Sequence, residues 1–156
     1  MSTIQRHSSR ALFLWPMTMV AIAALTACGG GATTAPTAIT LSGTAATGAP
    51  MAGATLAIKD STGAEVQSCA PCTVQADGTF SVELKATAKA PFVLFATQDG
   101  SVEPQVSMID TAQSATVNVS PITTLIATRL APSGDPAQLK ASDLTADKIT
   151  TATTEI

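Results

Sequence analysis

The feature that most constrains this chain is the stretch from Ile39 to Val119. There, short β-branched and apolar runs alternate with turn residues and no helical period emerges. The runs define candidate strands at Ile39–Ala45, Thr55–Lys59, Glu65–Ser68, Thr73–Gln75, Thr79–Leu84, Phe92–Thr97, Gln105–Ile109 and Ala115–Val119. Between them sit Gly48-Ala49-Pro50, Ser61-Thr62-Gly63, Asp77-Gly78 and Asp99-Gly100, whose residues favour tight turns by geometry or by side-chain bonding to the backbone. Alternation places Phe80, Val82 and Leu84 on one face of their strand. Phe92–Ala96 is apolar throughout, as a central strand requires. Seven or eight short strands in about 80 residues predict a mainly β fold, an antiparallel β-sandwich.

From Ser120 the period changes. Ser120 is placed to cap a helix with Pro121 at its first position, and Ile122, Leu125, Ile126 and Leu130 fall on one helical face. Thr123, Thr124 and Thr128 are weak helix formers, so this helix is expected to owe its stability to docking on the sandwich through that face. Pro132-Ser133-Gly134-Asp135-Pro136 ends it, and Asp135-Pro136 starts a short turn through Leu139. A second amphipathic segment begins near Thr145, with Ile149, Ala152 and Ile156 at helical spacing and no capping residue after it. That open end points to a longer parent chain, with fraying at a genuine terminus as the alternative.

The N-terminus has a different character. Arg6, His7 and Arg10 precede the uncharged apolar run Ala11–Ala27, which is short for a membrane span and leads directly into Cys28-Gly29-Gly30-Gly31. The run Leu25-Thr26-Ala27-Cys28 resembles the lipobox of bacterial lipoproteins. The resemblance implies a signal peptide over 1–27, acylation of Cys28 by diacylglycerol and fatty acid (palmitate in type), and cleavage just before that cysteine. Two or three acyl chains hold durably where one holds marginally, at about 0.8 kcal/mol per buried CH₂. An uncleaved signal anchor with an incidental cysteine is the alternative. Gly29 stands where the inner-membrane retention rule wants Asp, which implies a cell outer membrane location, on either its periplasmic or its surface face. Residues 28–37, rich in Gly, Ala and Thr, read as the lipidated cysteine and a flexible tether. The sandwich then spans 38–120 and the helical segment 121–156.

Part of the sandwich resembles a family. Ser42-Gly43-Thr44, Gly48-Ala49-Pro50, Gly53-Ala54-Thr55-Leu56 and Asp77-Gly78-Thr79-Phe80 are similar to the carboxypeptidase regulatory-like domain, over Ile39 to about Thr97. That resemblance implies an Ig/prealbumin-like sandwich without a catalytic residue of its own. In it, Gly53 opens the second strand beside a corner, and Asp77-Gly78 turns the chain so that Phe80 enters the core. The Cys-Ala-Pro-Cys insertion at 69–72 departs from the pattern.

Composition narrows the chemistry further. Cleavage after residue 27 leaves 129 of 156 residues, without His, Trp or Tyr. Six Lys and Arg then face eleven acids, a net charge of −5. Scattered lysines on an acidic chain do not make a nucleic-acid surface. A Ser/His/Asp triad needs a histidine, and no glycine-rich phosphate loop precedes a helix. Phe80, Phe92 and Phe95, the aromatic residues left, sit in core patterns and offer no stacking platform for sugars. Cys69-Ala70-Pro71-Cys72 favours a local disulfide in an exported protein, with an exposed dithiol switch as the alternative. A zinc site wants four N/S ligands, which this motif alone does not supply. Asp60, Asp77, Asp99 and Glu103 lack the dense spacing of a calcium loop and read as turn residues. The sequon Asn118-Val119-Ser120 is discounted in a bacterial chain with Pro121 following.

The expectation is therefore a non-enzymatic outer-membrane lipoprotein, without metal or cofactor. Its sandwich binds or spaces something, and a protein or a glycan is the ligand class left open. The alternative is the N-terminal accessory region of a larger lipoprotein whose further part carries an enzymatic or sugar-binding activity. A periplasmic thiol sensor built on Cys69 and Cys72 is a third reading.

Overall fold

The computed structural model describes residues 37–155. The expected signal peptide, the lipobox residues Leu25, Thr26, Ala27 and Cys28, the tether as far as Pro36, and Ile156 lie outside them. Seven strands and two α-helices follow in order: β1 Thr40–Thr44, β2 Thr55–Lys59, β3 Cys72–Thr73, β4 Thr79–Glu83, β5 Phe92–Thr97, β6 Gln105–Ile109, β7 Ala115–Thr116, α1 Pro121–Leu130 and α2 Ala146–Thr154. Two short 3-10 turns, Pro136–Gln138 and Ala141–Asp143, lie between the helices.

The strands form a mainly β sandwich of two sheets, ordered β4-β1-β7 and β3-β2-β5-β6. Pairing is antiparallel except between β1 and β7, which run parallel with Leu41 opposite Ala115. The first core lies between the sheets. Leu41, Phe80 and Val82 of one meet Leu56, Ile58, Phe92, Leu94 and Ala96 of the other, all buried. Phe80 enters that core directly after the Asp77-Gly78 turn. Gly78 has φ +86°, and a side chain there would also press on the Ala45 carbonyl and Pro50.

A second core covers the opposite face of the four-stranded sheet. Val93, Phe95 and Val106 pack there against Ala127, Ala131, Leu139, Ala141 and Leu144. β5 thus has Phe92, Leu94 and Ala96 facing one core and Val93 and Phe95 facing the other. This is why its sequence shows no polar alternation.

β1 and β4 are a residue or two shorter than expected, β3 is Cys72–Thr73 where Thr73–Gln75 is expected, and two further expected strands are broken or cut short. Glu65–Ser68 forms isolated bridges only: Lys59 with Glu65 on the β2 side, and Gln67 with Leu84 on the β4 side. The Val66 amide donates to the Ile58 carbonyl, while the Ser68 amide donates to the Glu83 carbonyl. The segment therefore crosses from one sheet to the other and cannot stay on either ladder. β7 covers only Ala115–Thr116; past it the Val117 carbonyl lies against Gly43, where any Cβ would collide with it, and pairing resumes as the parallel bridge Ala45–Val119. Beyond that point the Asn118 side chain takes the Thr44 amide, 3.0 Å away.

Helix α1 starts as expected. Ser120 Oγ accepts from the Thr123 amide and Thr123 Oγ1 accepts from the Ser120 amide, a reciprocal cap with Pro121 at the first position. Its docking face differs from the expected one. Ile126 and Ala127 are buried and Leu130 is half-buried, but Ile122 is 62% exposed and Leu125 49% exposed. The reason is Thr124. Its hydroxyl accepts from the Val106 amide on the outer edge of β6, at 2.9 Å, and donates to Gln105 Oε1, also at 2.9 Å. Pairing that edge amide rotates the helix so that Thr124, Ala127 and Ala131 face the sheet, and the small residues permit close approach. The consequence is measurable. Ile126→Ala should cost about 2–5 kcal/mol, whereas Leu125→Ala should stay below about 1 kcal/mol in chemical denaturation. Equal losses from the two would contradict this docking.

Candidate functional site

The residues singled out in the sequence do not converge. Lys59 pairs across from Val93 and Thr55 from Thr97, so the two ends of the sandwich can be told apart by register. Asp60 lies in the loop after β2, at the end where the chain enters the first sheet through Ile39, whose carbonyl accepts from the Leu84 amide. Asp77 precedes β4 and Asp99 and Glu103 follow β5, all at the far end. Among the described residues no group of three or more His, Cys, Asp or Glu is placed to hold a metal ion.

Asp60 is a buried carboxylate, 3% exposed, and its oxygens are occupied. Oδ1 accepts from the Thr62 amide at 2.8 Å, the Thr62 hydroxyl at 2.6 Å and the Ala64 amide at 3.3 Å. Oδ2 accepts from the Lys89 amide at 3.2 Å, which joins the loop after β2 to the loop before β5. Burial alone would raise its pKa. The Thr62 hydroxyl and the Thr62, Lys89 and Ala64 amides outweigh burial and hold it below the ordinary carboxylate value. Asp77 makes a smaller version of the same turn, accepting from the Thr79 amide and hydroxyl, which lower its pKa as well. Only the sequence signal for turns was present at either position. That Asp60 would also clamp a second loop, 29 residues on, could not be read from spacing.

Cys69 and Cys72 are joined in a disulfide, with their Cα atoms 5.1 Å apart. Cys72 is buried in the inter-sheet core beside β2, while Cys69 is half-buried and packs against it. The bridge closes the loop leading into the two-residue strand β3, an element too short to hold its register by ladder bonds alone.

A groove that the sequence did not point to lies at the chain-entry end. It has a volume of about 510 Å³ and runs between residues 59–63 and residues 137–142. Lys59, Ser61, Thr62, Gln138, Lys140 and Ser142 supply its polar lining. Lys59 Nζ stands 5.4 Å over the Phe95 ring, which ties the groove wall to the second core. No periodicity links the loop after β2 to the turns after α1, so only their packing through Leu139 and Ala141 creates the groove.

Comparison with known proteins gives little. No family model matches the sequence, and no curated protein matches it either. A solved structure similar to it is GBS52, the minor pilin of the Gram-positive pathogen Streptococcus agalactiae. The identity is 14% and the TM-score 0.38, over 53% of this chain and 43% of that chain. The chain therefore spans less than half the length of that pilin chain.

Two outcomes test these assignments. Because the folded-state pKa of Asp60 is depressed, its contribution is present above the unfolded value near 3.9 and is lost as pH falls through the lower folded value. Asp60→Asn should destabilise the fold by about 1–3 kcal/mol at neutral pH, by leaving donors unpaired, and should flatten the acid limb of the stability–pH profile. An unchanged acid limb would exclude the clamp. Replacing Cys69 and Cys72 together by Ala should leave the fold intact with a small drop in melting temperature. So short a loop gains less than the roughly 3 kcal/mol expected for 15 residues. Global unfolding of that double variant in circular dichroism would show that the bridge is indispensable.

Proposed function

We propose that this protein is a non-enzymatic lipoprotein, held by acyl chains on Cys28 at the outer membrane, whose β-sandwich serves as a binding or spacer module. The observation that carries the non-enzymatic reading is the use made of the groups most able to do chemistry. Asp60 is consumed in joining two loops, Asp77 in its own turn, and Cys69 and Cys72 in a bond to each other. Groups so committed hold geometry and leave no free nucleophile or base at those positions. The resemblance of Ile39–Thr97 to the carboxypeptidase regulatory-like domain supports the same reading, because that module has no catalytic residue of its own.

The anchor rests on Leu25-Thr26-Ala27-Cys28 at the end of an apolar run, and the outer-membrane assignment on Gly29. Entry of the chain at one end of the sandwich suits attachment from that end. Metabolic labelling with a fatty-acid analogue tests the anchor. The wild-type chain should incorporate the label and partition into detergent, and Cys28→Ser should lose both. Labelling that survives the substitution would overturn the proposal.

A further inference from the structure

The groove at the chain-entry end is not used by any role described above. Its two cations come from segments far apart in sequence, Lys59 at the end of β2 and Lys140 between the 3-10 turns, and both line the same space. Neither ammonium has a hydrogen-bonded or ion-paired partner among the described residues. Arg129 pairs with Glu155, Lys85 donates to the Glu65 carbonyl and Lys148 to the Asp143 carbonyl. No carboxylate lines the groove. Asp60, next to Lys59, turns inward to its four donors, and Asp135 is engaged in capping the Ala137 amide. The Asp143 side chain is not part of the lining. Ser61 and Ser142 add hydroxyl donors and Gln138 an amide.

We infer that this groove binds a phosphate group carried by a larger polar molecule. Two lysines lining one groove, neither of them hydrogen-bonded or ion-paired among the described residues and Lys59 held only over the Phe95 ring, favour a compact anion, and lysine meets phosphate as a point charge. Hydroxyl and amide donors complete the shell of an oxyanion, and the two lysines disfavour a cation. The lining holds two cations and has no aromatic platform, which suits a compact phosphate or diphosphate group rather than a nucleic-acid strand. The phosphate can be that of a lipid headgroup or of a free solute. The headgroup source follows from the groove's place at the end where the chain enters, and it rests on the anchored reading. The site itself does not.

The test uses the mature full-length protein. In detergent solution, inorganic pyrophosphate should produce saturable NMR shifts confined to residues 59–63 and 137–142. The double variant Lys59→Gln, Lys140→Gln should bind roughly tenfold or more weakly, as the loss of two charge-assisted contacts requires. Its melting temperature should fall by at most a few degrees, because both side chains are exposed and only the Lys59 contact with the Phe95 ring is lost. In vesicles, protection of Lys59 and Lys140 from amine acylation by phosphatidylglycerol, and not by phosphatidylcholine alone, assigns the headgroup source. Pyrophosphate shifts without vesicle protection assign a free phosphorylated solute. Absence of both effects, or wild-type binding by the double variant, overturns the site. The mass of the N-terminal peptide of the same preparation reports acylation separately. A missing acyl mass would sink the anchor and leave the pyrophosphate result standing.

Discussion

The rest of the structure depends on the double burial of β5. A strand with Phe92, Val93, Leu94, Phe95 and Ala96 all buried needs cover on both faces. Burying such side chains contributes about 1.5–3 kcal/mol each, and exposing either face would forfeit much of that. The three-stranded sheet supplies one cover. The helical segment supplies the other, through alanines and leucines that would make a poor core by themselves. The segment after Ser120 is thus a third layer of the domain, not an appendage to it.

Polar side chains then do the joining that short strands cannot. Most strands here have five residues or fewer, so ladder bonds alone leave several amides at the edges. Thr124 takes the Val106 amide, Asn118 takes the Thr44 amide, Ser114 takes the Thr40 amide, and Asp60 takes amides from two loops. Every buried side-chain nitrogen or oxygen among the described residues has a partner. A chain rich in threonine and serine and poor in charge can be read as merely weakly polar. Its hydroxyls and amides are in fact fasteners placed where backbone pairing stops.

The sparse charge has a spatial order as well. Asp77, Asp99 and Glu103 lie at the far end of the sandwich, and Lys59, Lys85 and Lys89 at the chain-entry end. Glu65 and Asp110 share that second end, so it is mixed in sign. The groove between the Asp60 loop and the 3-10 turns is lined by two lysines and by no carboxylate. The inward turn of Asp60 keeps its carboxylate out of the groove lining beside Lys59.

Local signals determined much of this protein. Period-two runs and glycine turns are properties of a few neighbouring residues, so β2, β5, β6 and the Asp77-Gly78 turn were legible in full. So were the Ser120 cap, the Asp135 and Thr145 starts and the Cys69–Cys72 pairing, all spaced within a few residues. The resemblance of Leu25-Thr26-Ala27-Cys28 to a lipobox is also a local pattern, and those residues lie outside the described ones. What depended on contacts between distant segments was decided only in three dimensions. The face α1 buries was set by the open Val106 amide meeting Thr124, and helical periodicity, which counts apolar residues only, pointed instead to Ile122 and Leu125. Lys59 and Lys140 come to line one groove through the packing of Leu139 and Ala141. The crossing of Glu65–Ser68 between sheets and the parallel β1–β7 pair share the cause of the α1 docking. Each depends on which backbone groups remain unpaired once the core has closed, and no window of sequence contains that information.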